Sequence, residues 1–318
     1  MTYLSTELDN PWKDILEVYL EEFMIFFFPE VHNLIDWNRG YEFLDQELQQ
    51  VVRDAELGRR FADRLVKVWL KSGLEAKLYI HIEVQGQFED NFAERIFVYH
   101  YRLFDRYKQP LISLVVFGDE EEDWQPNFYG YELAGCRLSF EFPTTKLLDF
   151  KDKDKWAELE KSNNPFSIVV RTHLKALETR WSPKKRLQWK KKLFRALYEA
   201  NYSKQEILEL FRFLDWVLAL PAPETLQFKT FTTEYEEEKK MPYVTSIERL
   251  GIEKGMLQNA QENVVEVLRV RFKEVHESLE KAILAIYDSA LLSKLLKEAI
   301  VVESLEAFEK LLKKPESH

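Results

Sequence analysis

Residues 61 to 85 read FADRLVKVWLKSGLEAKLYIHIEVQ, and no other stretch limits the fold as sharply. Two runs rich in β-branched and apolar residues flank KSGLEA, where Gly73 supplies a turn, so the segment predicts a β-hairpin. In the second run Ile80, Ile82 and Val84 alternate with His81, Glu83 and Gln85, which predicts one apolar face and one wet face. Pairing Leu70 with Lys77 sets Asp63 near Val84, beside Glu83 and Gln85. A slip of one residue would change the facing. FEDNFAERIFVYHYRLFDRY, residues 88 to 107, then predicts a helix, and PLISLVVFGDE a buried strand. Hairpin, crossover helix and strand make a mixed α/β core.

The flanks read as helices. WKDILEVYLEEFMIF, residues 12 to 26, repeats apolar residues at helical spacing, with Asn10 as cap, Pro11 as first helical residue and Pro29 as the stop. LDQELQQVVRDAE predicts a further short helix, and YGYELAGCRLSFEF a third strand. From residue 144 onward the pattern is mainly helical. RWSPKKRLQWKKKLFRALYEAN starts at Ser182 and Pro183, QEILELFRFLDWVLAL stops at PAP, and FTTEYEEEKKMPYVTS reads as a polar connection. These patterns divide the chain into an α/β domain with helical extension, 1–245, and a helical C-terminal region, 246–318.

Composition narrows the environment. The single cysteine, Cys136, excludes an intramolecular disulfide and suits a reducing compartment. MTYLSTELDNPWKD carries acids where a signal peptide needs bases, and FMIFFFPEV is too short to span a bilayer. The expectation is a cytoplasmic protein with no membrane partner. A net charge of -10 argues against coating by nucleic acid but leaves room for a local basic patch. Residues 171 to 195 supply one: Arg171, Lys175, Arg180, Lys184, Lys185, Arg186, Lys190, Lys191, Lys192 and Arg195 stand against Glu178. Lys184, Lys185, Arg186, Lys190 and Lys191 are the candidate DNA-phosphate contacts, with a solvated helix face as the plain alternative.

Two carboxylates and an amide oxygen converging at strand ends form a hard-oxygen site suited to Mg²⁺ or Mn²⁺. A wet hairpin face with ordinary polar residues has the same spacing. DRLVKVWLKSGLEAKLYIHIEVQGQ resembles the core of the PD-(D/E)xK nuclease superfamily, and is most similar to the bacterial Rpn-type recombination-promoting nuclease and transposase-like group. NPWKDILEVYLEEFMIFFFPE, NFAERIFVYHYRLFDRY and YGYELAGCRLSFEFPTTKLLDF extend the resemblance over roughly the first 240 residues.

The resemblance implies a restriction-endonuclease-like mixed sheet flanked by helices, with Asp63 and Glu83 binding Mg²⁺. Gln85 stands where the wider superfamily usually has lysine, replacing a cation by a neutral amide that can donate or ligate. Lys67 offers a cation from the preceding strand, or is solvated. The resemblance also points to an acid from the first helix, Glu17 or Glu21, which share a face. His81 either approaches the substrate or is a structural histidine. The function implied is metal-dependent DNA cleavage in recombination or mobile-element biology, with Asp63, Glu83, Gln85 and Glu17 as catalytic candidates. The alternative is an inactive DNA-binding or oligomeric protein that keeps the nuclease fold. Apolar spacing in VVEVLRVRF and ALLSKLLKEAI makes a homo-oligomer through the C-terminal helices the expected assembly.

Overall fold

In the computed structural model, residues 9–46, 48, 64–71, 77–273, 275–286, 289–302 and 304–312 are described. Asp63, the turn at Gly73 and most of the helix expected over 44–56 lie outside them. The chain forms two compact units, Met1–Phe231 and Thr232–His318. The division expected at 245/246 therefore falls inside the second unit.

The first unit opens with helices α1 (Asp9–Val18), α2 (Leu20–Phe27) and α3 (Pro29–Leu34). The single helix expected over 12–26 is interrupted at Tyr19, whose φ and ψ of -128° and 43° leave the helical range. The expected stop holds, since α2 ends at Phe27 just before Pro29, which then opens α3 at its first turn, where a missing N–H costs no bond.

Next come β1 (Tyr41–Phe43), β2 (Arg64–Trp69), β3 (Lys77–Gln85), α4 (Phe92–Tyr107), β4 (Leu111–Phe117), β5 (Phe128–Leu133), β6 (Cys136–Glu141) and β7 (Thr144–Lys146). The main sheet runs β1-β2-β3-β4-β7. β2 and β3 pair antiparallel, β3 and β4 parallel across α4, as hairpin and crossover helix predict. The register differs by one residue from the expected one: Trp69 faces Lys77, while Leu70 forms a bridge with Ile35. Leu65 thus shares a face with His81, and Arg64 with Ile82.

Burial corrects a second expectation. Every residue of β3 after Lys77 is buried, so the His81, Glu83 and Gln85 face is not wet. Helix α4 covers it, with Tyr107 stacked 4.3 Å from Tyr79 and Tyr99 edge-on to His81 at 5.7 Å. The third strand expected in YGYELAGCRLSFEF is a separate two-stranded hairpin, β5–β6. Ala134 and Gly135 turn it with φ of 50° and 82°, the positive pair that a two-residue hairpin loop needs.

Helices α5 (Lys153–Lys161), α6 (Pro165–Glu178), α7 (Pro183–Glu199) and α8 (Lys204–Val217) complete most of the first unit. Ser203 and Glu206 form a reciprocal capping box on α8. Ser182 takes the N-cap position of α7 without accepting a bond, and Pro183 follows at the first turn. Trp12 of α1 packs edge-on against Phe213 of α8 and donates to His173 of α6 at 3.4 Å. FTTEYEEEK, expected as part of a connection, is helical within α9 (Ala222–Lys239).

Helices α10 (Tyr243–Phe272), α11 (Glu277–Leu284), α12 (Ser289–Val301) and α13 (Leu305–Leu312) follow in the second unit. Val264, Leu268, Ile283, Leu292 and Phe308 form its core. The helical C-terminal expectation holds there. No helix among the described residues is long and apolar enough to cross a membrane.

Candidate functional site

Period-two alternation puts Glu83 and Gln85 side by side on the face of β3 that meets α4. The apolar stripe of α4 is Phe92, Ile96, Tyr99 and Leu103, and Arg95 falls inside it. Its guanidinium is cut off from water there and finds side-chain oxygens instead. Arg95 Nη2 lies 3.1 Å from both Glu83 Oε1 and Gln85 Oε1, and 3.1 Å from Glu89 Oε2. The rings of Phe92 and Tyr99 lie 5.0 and 5.6 Å from its Cζ. Gln85 Nε2 donates to the Gln87 carbonyl at 2.6 Å, which fixes the amide with its oxygen toward Arg95.

Glu83 is fully buried and Arg95 2% exposed, so this is a low-dielectric cluster in which the pairing is strong and a broken pair costly. His81 closes its other side, with Nε2 3.7 Å from Glu83 Oε2. Neither ring nitrogen of His81 has a hydrogen-bond partner among the described residues. Burial pushes His81 down to about 4, against the pull of Glu83 and with help from Arg95 and His100, so the ring is neutral at pH 7.

The structure brings Glu83, Gln85 and His81 together. Asp63 lies outside the described residues. Glu17 is held elsewhere: it pairs with Arg64 at 2.8 Å, and Arg64 shares the opposite sheet face with Ile82. The Arg64 guanidinium also meets Asp45 and the Lys13 carbonyl. Glu21 pairs with His32 at 3.3 Å, and Lys67 with Glu42 at 2.5 Å.

A carboxylate and an amide oxygen are the hard donors that Mg²⁺ prefers, so Glu83 and Gln85 fit in donor type. Mg²⁺ commonly takes only one or two carboxylates from a protein and fills the rest of its six oxygens with water, so one more carboxylate beside Glu83 would complete the protein's share. Among the described residues, no group of three or more His, Cys, Asp or Glu side chains is gathered to hold a metal ion.

The basic segment separates by depth. Lys184 and Lys185 are exposed at the start of α7. Arg186 clips the helix ends beside it, donating to the carbonyls of Ala176 at 3.0 Å and Ala219 at 3.3 Å. Lys191 lies 5.0 Å over the Phe231 ring. Lys190 departs from the expected surface role, because its ammonium is buried against Asp215 Oδ1 at 2.7 Å and the Leu218 carbonyl at 3.0 Å.

Sequence reading missed Arg95 and Glu89. The signal for Arg95 was a charge inside an otherwise apolar helical stripe, which folding tolerates when the charge is paired. It missed a second ion pair too: buried Lys146 Nζ meets buried Asp119 at 2.8 and 2.9 Å and the carbonyls of Glu121 and Trp124 at 2.6 and 2.9 Å. No family model, curated protein or solved structure matches the chain.

Proposed function

We propose that the protein is a DNA endonuclease of the metal-dependent class, with Asp63 and Glu83 as its carboxylates and Gln85 orienting the site. The observation that supports this reading is the pair of Glu83 and Gln85 oxygens held on one face of β3 by a single guanidinium. Arg95 fixes both rotamers before any substrate arrives, and such preorganisation is what electrostatic catalysis requires. Asp63 and Glu83 are the residues that would hold Mg²⁺ or Mn²⁺, which when bound would lower the pKa of a coordinated water. His81, neutral at pH 7, adds no positive charge beside Glu83. Exposed Lys184 and Lys185 supply phosphate contacts outside the site.

Cleavage time courses on linear and supercoiled DNA, with Mg²⁺, Mn²⁺ or EDTA, test the reading. Product should form with either metal and disappear with EDTA. Asp63→Ala and Glu83→Ala should lower the rate by at least about a hundredfold while the protein stays folded. Full activity in both folded variants would remove these acids from the chemistry.

One observation favours a second reading, a DNA-binding protein that does not cut. Arg95 already places a positive charge against the Glu83 and Gln85 oxygens in a buried cluster, which opposes a divalent ion at the same atoms. DNA binding by fluorescence anisotropy, without cleavage under any of these metal conditions, would select it.

A further inference from the structure

Helices α6 and α7 line a half-open pocket of about 370 Å³ beside Ser162 and Tyr202. Arg171 lines it from α6 and is only 5% exposed. A guanidinium carries five N–H donors, and burying them without acceptors is costly. Yet Arg171 Nε has no hydrogen-bond partner among the described residues, and the nearest carboxylate oxygen, Glu160 Oε1, stands 3.9 Å from Nη2. That distance is beyond a hydrogen bond. Burial lowers the pKa of Arg171, with Glu160 and Tyr202 pulling the other way, but a guanidinium stays charged through the physiological range.

Two further cations stand on the same wall. Lys192 and Arg195 line the pocket from α7. Lys192 leans to Glu160 at 3.3 Å, so one carboxylate is shared between Lys192 and Arg171. Arg195 is exposed, its Cζ 4.9 Å over the Phe231 ring, with its donors turned to no carboxylate among the described residues. Arg171, Lys192 and Arg195 face Glu160 and Glu199, leaving the lining one positive charge in excess.

A buried, under-bonded fork with two outer cations matches a phosphate dianion better than a carboxylate, which one arginine satisfies. The volume admits a nucleotide-sized group and is far too small for a duplex. Tyr202 and Ile168 give the wall an apolar part for a ring.

We propose that this pocket binds the phosphate of a nucleotide-sized phosphomonoester, with Arg171 as the inner donor, Lys192 and Arg195 as the outer cations, and Glu160 as the resident acceptor that the phosphate displaces. The inference does not rest on the nuclease reading, and its test involves no cleavage. The ligand is a free nucleotide or the 5′ end of a strand, which present the same group.

Titration calorimetry on the full chain decides. The probes are inorganic phosphate, a deoxynucleoside 5′-monophosphate, the matching nucleoside, and one oligonucleotide with and without a 5′-phosphate. The monophosphate should bind and the nucleoside should not. Arg171→Met should weaken binding at least about tenfold, and Glu160→Gln should strengthen it several-fold, roughly what one charge-assisted contact is worth. Arg195→Met is an exposed change that leaves the fold intact, and it should weaken binding by about threefold or more. A 5′-phosphate preference in the oligonucleotide assigns the strand end; binding of the free monophosphate alone assigns a small nucleotide. No binding by any phosphorylated probe, or unchanged affinity in Arg195→Met, overturns the proposal.

Discussion

At His81 the position is polar in the sequence and sealed in the structure. Its folded pKa of about 4 lies below the ordinary 6.5, so the unfolded chain takes up the proton first. The stability this group contributes is whole above pH 6.5 and is lost as pH falls toward 4. Buried His173 and half-buried His100 shift in the same direction. His81→Phe should therefore flatten the acid side of the stability curve. In urea titrations at pH 7.5 and 5, the wild type should lose about 2 kcal/mol more than the variant. Equal losses would show that His81 is solvated in solution. Gln85 makes the second residue-scale point. A lysine there would set an ammonium against the Arg95 guanidinium inside a dry cluster. Gln85→Lys should cost about 3 kcal/mol by urea denaturation, and Arg95→Gln in the same chain should return part of it. The sequence displayed Glu83 and Gln85 plainly, because alternation in a strand puts them together whatever covers them. Arg95 was hidden, since nothing local says which strand residue an arginine on the next helix will reach.

Among the elements, the clearest case is the clamp between β7 and the loop after β4. Lys146 has a full set of acceptors in Asp119, Glu121 and Trp124, which makes a buried ammonium tolerable. Lys146→Met leaves Asp119 buried with a charge and should cost about 3–5 kcal/mol, read as a lower denaturant midpoint. Asp119→Asn with Lys146→Met should cost less than the single change, since no charge is then stranded. Gly118 stands just before this clamp, and a Cβ there would meet His173 Nε2 at 2.8 Å. The hairpin, the crossover helix and β4 were all legible, because period two and period 3.6 differ strongly in those segments. The register was not. Both faces of β3 are buried, so a one-residue slip no longer trades core for solvent and the pattern loses its grip. Helix α6 lies in the stretch expected to be mainly helical, but its bounds were not legible for a related reason. It is buried nearly all round from Pro165 to Leu174, and a helix without a wet side shows no stripe.

For the molecule as a whole, the second unit answers the expectation of self-association with a core of its own. Val264 and Leu268 of VVEVLRVRF, and Leu292 and Ala299 of ALLSKLLKEAI, are buried in one cluster with Phe308. Part of the tail's apolar spacing is thus spent within the chain, while Val270 at 74% and Ile300 at 57% stay exposed. Phe308→Ala should destabilise the full chain's second unit by about 3–5 kcal/mol in a thermal or urea melt. Light scattering on the full chain tests the homo-oligomer directly. For DNA, Lys184→Gln with Lys185→Gln should weaken binding across unrelated sequences and reduce the slope of log K against log salt by about 2. An unchanged slope in the folded variant would return both lysines to a solvated helix face. The main sheet has one more consequence. It ends on either side in a strand of three residues, Tyr41–Phe43 and Thr144–Lys146. An edge that short offers another molecule almost no ladder to extend, whereas β5 and β6 each present a largely exposed six-residue edge, so any strand addition in concentrated protein should start at that separate hairpin.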